Sequence, residues 1–420
     1  MIRSLIKRAF LSPTLRSAAA LAAGGVGFGV ANLLLARVLT PDEFGVVSLL
    51  LSFIQVGAAV GAPGLPVLIN RYHLGPSRRL LQISAVASLV ATLATFGILS
   101  AFYGIVVPLA VMTGLAIGLA AMGRVSAAFF QAREQFGVSL LLIQIHNWIL
   151  LLSIPVLVIT HRPFATTVVW VVLLGYAMTA WAGWQFAPRH GAGVAAQVPP
   201  RRWLNEGMSA AGFSIATNVM LQLDRLLIGG TLSIQDLATY SVIAAVAGSA
   251  FRMLQMGAGY SLLPRLRRCT DRHAALRMLG GELALLAGIG VIAAIAVLIV
   301  MPWLLEHFLS RKYAVSEEMI LAVIVIGFVR IGESSAAAAV SALGSTRELA
   351  QLNVLGWLMV IASSACAVWG SRYGLTGMIY GLGAGWMLGA IGAGVLAAKA
   401  LMRMPRSPRT RGDRVLSTAE

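Results

Sequence analysis

Leu33-Leu34-Leu35-Ala36-Arg37-Val38-Leu39-Thr40-Pro41-Asp42-Glu43-Phe44-Gly45 closes one apolar run and opens the next. Thr40 reads as a helix cap, Pro41 suits the first helical position, and Glu43 is placed to reach back to the cap in a capping box. The stretch returns at an offset of 193 residues as Leu226-Leu227-Ile228-Gly229-Gly230-Thr231-Leu232-Ser233-Ile234-Gln235-Asp236-Leu237-Ala238. At the same offset Gly64-Leu65-Pro66 falls on Gly257-Ala258-Gly259. A span–turn–span unit that recurs once divides the chain into two similar halves.

The composition says what those halves sit in. Hydrophobic residues make up 58% of the 420, charged residues only 11%, and the net charge is +17. That apolar fraction points to a polytopic membrane protein, all-α, because a helix needs about 20 apolar residues to cross a bilayer. Spans are expected near 16–36, 43–66, 80–102, 104–122, 138–160, 164–186, 207–230, 238–262, 279–304, 318–343, 349–370 and 374–402. The third and fourth are divided only by Phe102-Tyr103-Gly104. Twelve transmembrane helices then form two pseudo-symmetric six-helix lobes: 1–187, a cytoplasmic linker at 188–206 containing Pro199-Pro200, a second lobe at 207–402, and a basic tail at 403–420.

Of the 32 lysines and arginines, Arg37, Arg162, Arg311, Lys312 and Arg372 fall on one side and Arg225, Arg252 and Arg330 inside spans. All the others, Arg124 among them, fall on the opposite side. By the positive-inside rule that side is cytoplasmic and holds both termini. The same rule accounts for the basic charge without nucleic acid. The tail Arg403–Arg414 suits anionic lipid headgroups. The first apolar stretch is long and lacks a clear cleavage site, so it reads as a retained span. Cys269 lies in a loop and Cys366 in a span, which argues against a disulfide and against a metal site.

The stretch Ala36–Gly45 resembles the first-loop signature of bacterial polysaccharide-export flippases of the O-antigen type. That family shares a superfamily with the lipid II flippase and the multidrug and toxin extruders. Phe130-Gln131-Ala132-Arg133-Glu134, Asp224-Arg225 and Tyr373-Gly374-Leu375-Thr376-Gly377 are also similar to it. The resemblance implies export of a polyprenyl-pyrophosphate-linked oligosaccharide across the inner membrane by alternating access. The partners it implies are that lipid-linked substrate, membrane lipids, and the polymerase and glycosyltransferases of the pathway. Few lysines and the lack of a long insertion depart from its pattern, and nothing matches the fourteen-span lipid II flippases.

Ionisable side chains deep in a membrane are costly and face a cavity or a partner. Arg252 and Arg330 lie deep, and Arg225 lies near the outer end of its span. Polar stripes at helical spacing accompany them: Ser214, Asn218, Gln222 and Arg225; Ser249, Arg252 and Gln255; Arg330, Ser334 and Ser341; and Ser48, Ser52 and Gln55 in the first half. Asn32 takes Arg225's place in the repeat. The pattern predicts a central cavity, more cationic in the second lobe. Arg225, Arg252 and Arg330 would suit a pyrophosphate through their planar forks, and Asn218, Gln222, Gln55 and Asn32 would suit sugar hydroxyls. Arg330 could instead pair with Glu333, and Asp224 with Arg252. Asp224 and Glu333 are also candidates for a coupling cation or proton. His146 in His146-Asn147-Trp148 reads as structural more readily than as a proton relay.

None of the three lysines, Lys7, Lys312 and Lys399, follows a glycine, so no Walker A loop is possible. No GxSxG, HExxH or CxxC pattern occurs, and no cofactor or metal is expected. An acidic pair in the first outer loop, Asp42-Glu43, would suit a membrane-embedded glycosyltransferase, but the capping reading accounts for it and the outer loops are short. A multidrug-type cation-coupled extruder would favour acidic residues in its cavity, whereas the deep arginines favour an anionic substrate.

Overall fold

The computed structural model describes residues 13–161, 164–187 and 200–405. Among them there is helix and turn but no strand. In the first half α1 (Pro13–Val38), α2 (Pro41–Val60), a short α3 (Leu65–Tyr72), α4 (Arg78–Phe102), α5 (Val107–Gln131), α6 (Phe136–Thr160) and α7 (Ala165–Gln185) follow one another. In the second half come α8 (Pro200–Thr231), α9 (Ile234–Ile243), a π-turn (Ala244–Gly248), α10 (Ser249–Leu266), α11 (Arg272–Trp303) with a π-turn (Leu304–Phe308), α12 (Glu317–Leu343), α13 (Thr346–Gly370) and α14 (Gly374–Arg403).

Nine helical stretches among the described residues are long and apolar enough to cross a membrane. One of them, Thr346–Arg403, holds both α13 and α14, and neither α1 nor α8 is among the nine. The protein is a multi-pass helical membrane protein, and the count of twelve spans is not what that measure returns. Many large apolar side chains face outward, as lipid-facing helices require. On α11 alone Leu285, Ile292, Ile295 and Ile299 are exposed.

Several boundaries differ from the sequence reading for identifiable reasons. The span expected at 43–66 stops at Val60, because Gly64 takes φ 66° and breaks the helix before α3. The doubtful split after Phe102 is real: Gly104 turns at φ 61° and Pro108 starts α5. α5 then runs to Gln131, nine residues past the expected end at 122, so Arg124 lies within a helix and not in a cytoplasmic loop. α8 begins at Pro200, ahead of the expected start at 207. Residues 188–199 of the linker, Arg162, and the tail beyond 405 lie outside the described residues.

The internal repeat has a physical counterpart. Thr40 accepts the N–H of Glu43, and Ser233 accepts the N–H of Asp236, so α2 and α9 start on equivalent caps. α2 packs against α9, and eight residues beyond each cap Ser48 Oγ meets Ser241 Oγ at 2.5 Å, a pair separated by 193 positions. Equivalent residues touch each other only where a two-fold axis passes between them. Gly45 sits one turn closer to the caps, and a Cβ there would overlap the Ile234 carbonyl.

Further contacts join the halves at the end of the bundle where these caps lie. Tyr103 Oη donates to Leu226 O (3.0 Å), Tyr313 Oη to Ala36 O (2.8 Å) and Lys312 Nζ to Arg37 O (2.7 Å). Arg37 also lies over the Phe308 ring at 4.7 Å. Burial pushes the Tyr313 phenol above its ordinary value.

Candidate functional site

Beyond that bonded end a cavity of about 270 Å³ opens along the seam between the halves. From the first half, α1, α2, α6 and α7 line it; from the second half, α8 and α10 do. Its lining runs from Arg225, six residues from the cap end of α8, to Gly257, nine residues before α10 ends. At 1.5 Å per residue it therefore occupies the middle of the bundle and the part toward the ends opposite the caps.

Five of the sequence-predicted residues come together there: Arg225, Arg252, Asn218, Gln222 and Gln55. Asn218, Gln222 and Arg225 are spaced one turn apart on α8, so a single helix face presents them. Arg225 is 4% exposed, donates to Gln222 Oε1 (3.4 Å) and lies 5.8 Å from the Phe28 ring centroid. Arg252 faces the cavity with no hydrogen-bond or ion-pair partner among the described residues. The π-turn Ala244–Gly248 just before it explains its direction, since the extra residue re-aims every side chain that follows. Ser249 and Arg252 then face the seam, while Gln255 faces a second cavity.

The other candidates go elsewhere. Asn32 is 1% exposed and spends its amide on Phe28 O of its own helix (2.8 Å), so it does not line the cavity. Ser48 and Ser52 turn to the axis, where Ser52 Oγ donates to Ser48 O (2.9 Å). Arg330 does not pair with Glu333, and Asp224 does not pair with Arg252. Instead Arg330 Nη2 lies 3.5 Å from Asp224 Oδ2, and its guanidinium lies 4.6 Å from the Trp386 ring centroid. Asp224 is buried and also accepts Tyr240 Oη at 2.5 Å. A buried carboxylate needs a cation, and Arg330 supplies it from α12, so this pair ties α12 to α8 and faces neither cavity. Glu333 lines the second cavity, of about 280 Å³, with Gln255, Ser334 and Ser341.

Three contributors were not visible as such in the sequence. Arg124 on α5 donates to Gln55 Oε1 (2.8 Å), Gln55 O (3.3 Å) and Asn218 Oδ1 (3.5 Å), directly behind the cavity wall. Tyr176 lines the cavity and stacks on His146 with ring centroids 5.7 Å apart. Gln144 lines it as well and accepts Asn147 Nδ2 at 2.6 Å. His146 Nε2 lies 3.0 Å from Gln55 Nε2, so this histidine orients a cavity amide. The signal for Arg124 was present as an arginine with an apolar run on both sides. The first-loop carboxylate Glu43 does not close the expected capping box. It accepts the N–H of Ala165 and so caps α7, because α7 starts beside it.

The cavity thus has a wall of two guanidinium groups and two amides from the second half, a wall of amides and aromatic rings from the first, and no carboxylate in its lining. It can hold an anionic group beside a polar, hydroxyl-bearing one.

Comparison with known proteins bears on this arrangement. A family model described as polysaccharide biosynthesis protein matches residues 34–318, which takes in the seal and nearly all of the seam cavity. No curated protein matches in sequence. Among solved structures, an inward-facing multidrug resistance MATE family transporter of the MOP superfamily aligns at 13% identity with a TM-score of 0.68, covering 90% of this chain and 95% of that one. The lipid II flippase MurJ, in an inward closed conformation, aligns at 10% identity and 0.66, covering 92% of this chain and 87% of that one. A Vibrio cholerae MATE transporter aligns at 13% and 0.58, over 95% and 98%. At these identities the likeness is one of fold.

Proposed function

The chain belongs to the polysaccharide biosynthesis protein family, and on that premise we propose that it is a flippase for a polyprenyl-pyrophosphate-linked oligosaccharide. The observation that carries the reading is Arg252: a guanidinium in the membrane interior, facing the seam cavity beside Arg225, with no hydrogen-bond or close ion-pair partner among the described residues. A cation kept unpaired there is costly, and a phosphate group is the acceptor its planar fork matches. The amides of Gln55, Gln144, Asn147, Asn218 and Gln222 offer both donors and acceptors to sugar hydroxyls.

In this reading the glycan head enters the cavity while the polyprenyl tail stays in the bilayer. The two halves form the lobes and rock against each other across the Ser48–Ser241 contact, and opening of the cap end releases the glycan. The caps face the outside of the inner membrane, and both termini are cytoplasmic. The protein moves its substrate and does no covalent chemistry on it. A multidrug-type extruder for cationic drugs fits less well, because no carboxylate lines the seam cavity.

The test is lipid analysis of a deletion strain. The expected result is accumulation of a complete lipid-linked repeat unit with loss of surface polysaccharide. A truncated unit would mean a glycosyltransferase, and no change in either pool would remove the reading. Cysteine labelling between Arg265 and Arg277 should require a permeabilised inner membrane; labelling in intact spheroplasts would reverse the orientation.

A further inference from the structure

Two turns at the cap end each send a tyrosine into the other half, and they are built differently. The turn between α4 and α5 stands in the first half where the turn between α11 and α12 stands in the second. From the first turn Tyr103 Oη donates to Leu226 O of α8; from the second, Tyr313 Oη donates to Ala36 O and Lys312 Nζ to Arg37 O, both on α1. Leu226 O lies five residues before α8 ends, where the helix itself supplies a donor. Arg37 O would take the N–H of residue 41 if α1 continued, but that residue is Pro41, which has none. Thr40 is already the cap of α2, so α1 has no further segment of its own to close its last carbonyls. The second half closes them, and it brings a cation, which the negative end of a helix favours. Tyr313 adds an edge contact to the Phe44 ring of α2, with centroids 6.2 Å apart.

The backbones of the two turns differ as well. Next to Tyr103 the left-handed position is Gly104, at φ 61°, which a glycine takes without strain. Just before Lys312 the left-handed positions are Ser310 (φ 53°) and Arg311 (φ 58°), two successive residues with side chains. Left-handed backbone is unfavourable for such residues even singly. The turn is braced into that shape. The N–H groups of Leu309 and Arg311 fold back on Leu304 O and Leu305 O, both at 2.9 Å, and the Arg311 side chain pairs with Glu306. Strain therefore sits on the turn whose tip holds α1.

We propose that the α11–α12 turn is a strained latch on α1: Lys312 and Tyr313 hold the cap end closed, and relaxation of Ser310 and Arg311 as those bonds break favours release. The inference rests on the alternating-access reading above and says which contact governs the cap end. On opening, water takes over the two α1 carbonyls, so the hydrogen bonds are exchanged and not lost. The strain then tips the balance toward opening, and the lysine's charge and the Tyr313–Phe44 contact oppose it. The α4–α5 turn carries no such strain, and its tyrosine serves a carbonyl that needs no second donor.

The experiment is a spin-label distance measurement on the full chain in lipid nanodiscs, with labels at Asp42→Cys and Gln235→Cys in a Cys269→Ser, Cys366→Ser background. These two exposed positions are equivalent in the repeat, at the starts of α2 and α9, so they report separation of the halves and not movement of the turn. Lys312→Gln with Tyr313→Phe should raise the ratio of open to closed distances about tenfold, the scale of the two hydrogen bonds less their exchange with water. Ser310→Gly should act in the opposite direction, lowering the ratio about fivefold in the wild type and in the double variant, because glycine relieves the closed turn. Tyr103→Phe should shift the ratio less than Tyr313→Phe. If the double variant does not accumulate, Tyr313→Phe alone carries the test with a smaller rise. Two populations that the latch variants leave unmoved overturn the latch while the lobes still rock, and a rise with Ser310→Gly, or equal shifts from the two tyrosines, overturns the role of strain. A single distance in the wild type and every variant overturns the latch and the rocking together. No substrate enters this measurement, so the substrate reading stands or falls separately by the lipid analysis.

Discussion

The two halves share their scaffold and differ in their charge. Thr40 and Ser233 cap equivalent helices, and Ser48 and Ser241 meet on the axis between them. Yet Asn32, buried and bonded to its own helix, stands where the second half has Arg225 in the cavity wall. The first half lines the cavity with amides and rings, the second with amides and two guanidinium groups, and behind them the second half holds a buried Asp224–Arg330–Tyr240 cluster. Symmetry is retained where the halves touch across the axis, and lost along the cavity wall.

The largest test of that asymmetry is Arg252→Ala. Export of surface polysaccharide in a complemented deletion strain should fall about 100-fold at normal membrane abundance, and Arg252→Lys should restore it only in part. Asn32→Ala, at the position equivalent to Arg225, should leave export near wild type; equal losses from the two alanine variants would erase the distinction between the walls.

Arg330→Ala should act differently, through stability. It strands a buried carboxylate at Asp224, which costs about 3 kcal/mol, so thermal unfolding in detergent should drop and membrane abundance with it. Combining it with Asp224→Asn should recover much of the loss. Normal abundance with abolished export would return Arg330 to the substrate.

Gly45→Ala tests the retained symmetry. Its Cβ would meet the Ile234 carbonyl across the seam, and α2 must shift to admit it, at about 1–3 kcal/mol. Ala238, at the equivalent position in the second half, already carries a Cβ. The variant should stay folded and accumulate with the cap end more accessible to thiol reagents at introduced cysteines near Tyr103. No gain in labelling would mean the seal does not depend on this contact.

The smallest effect belongs to the axis itself. Ser48→Ala leaves Ser241 Oγ without its partner and should cost about 1 kcal/mol in thermal stability, whereas Ser48→Ala with Ser241→Ala should cost less than the sum of the two single changes. Strict additivity would show that the two hydroxyls are not coupled.

Much of this was legible along the chain. The cap at Thr40 and its repeat at Ser233 are local motifs, set by residues within one turn, and the 193-residue offset follows from counting. Asn218, Gln222 and Arg225 were legible as one face because helical spacing puts them there. Partners were not. Glu333 is one turn from Arg330 and looked like its counter-ion, yet Asp224 on another helix holds that role. Glu43 looked like its own helix's cap and instead caps α7. Arg124 reads as a loop residue because a charge usually ends an apolar run, and only packing shows that α5 continues nine residues past the expected end, with Arg124 among neighbours that accept its hydrogen bonds.

By itself the sequence determined that this is a helical membrane protein, that a cap between two spans recurs at a fixed offset, and which side chains are too polar to face lipid. Those are properties of composition, period and local capping, each set by residues close in the chain. The tertiary structure decided which of those polar side chains neutralise one another, which seal one end, and which stand free at the seam. That sorting depends on helix rotation and on a single π-turn before Arg252, which moves a guanidinium around its helix without leaving a mark in the apolar pattern.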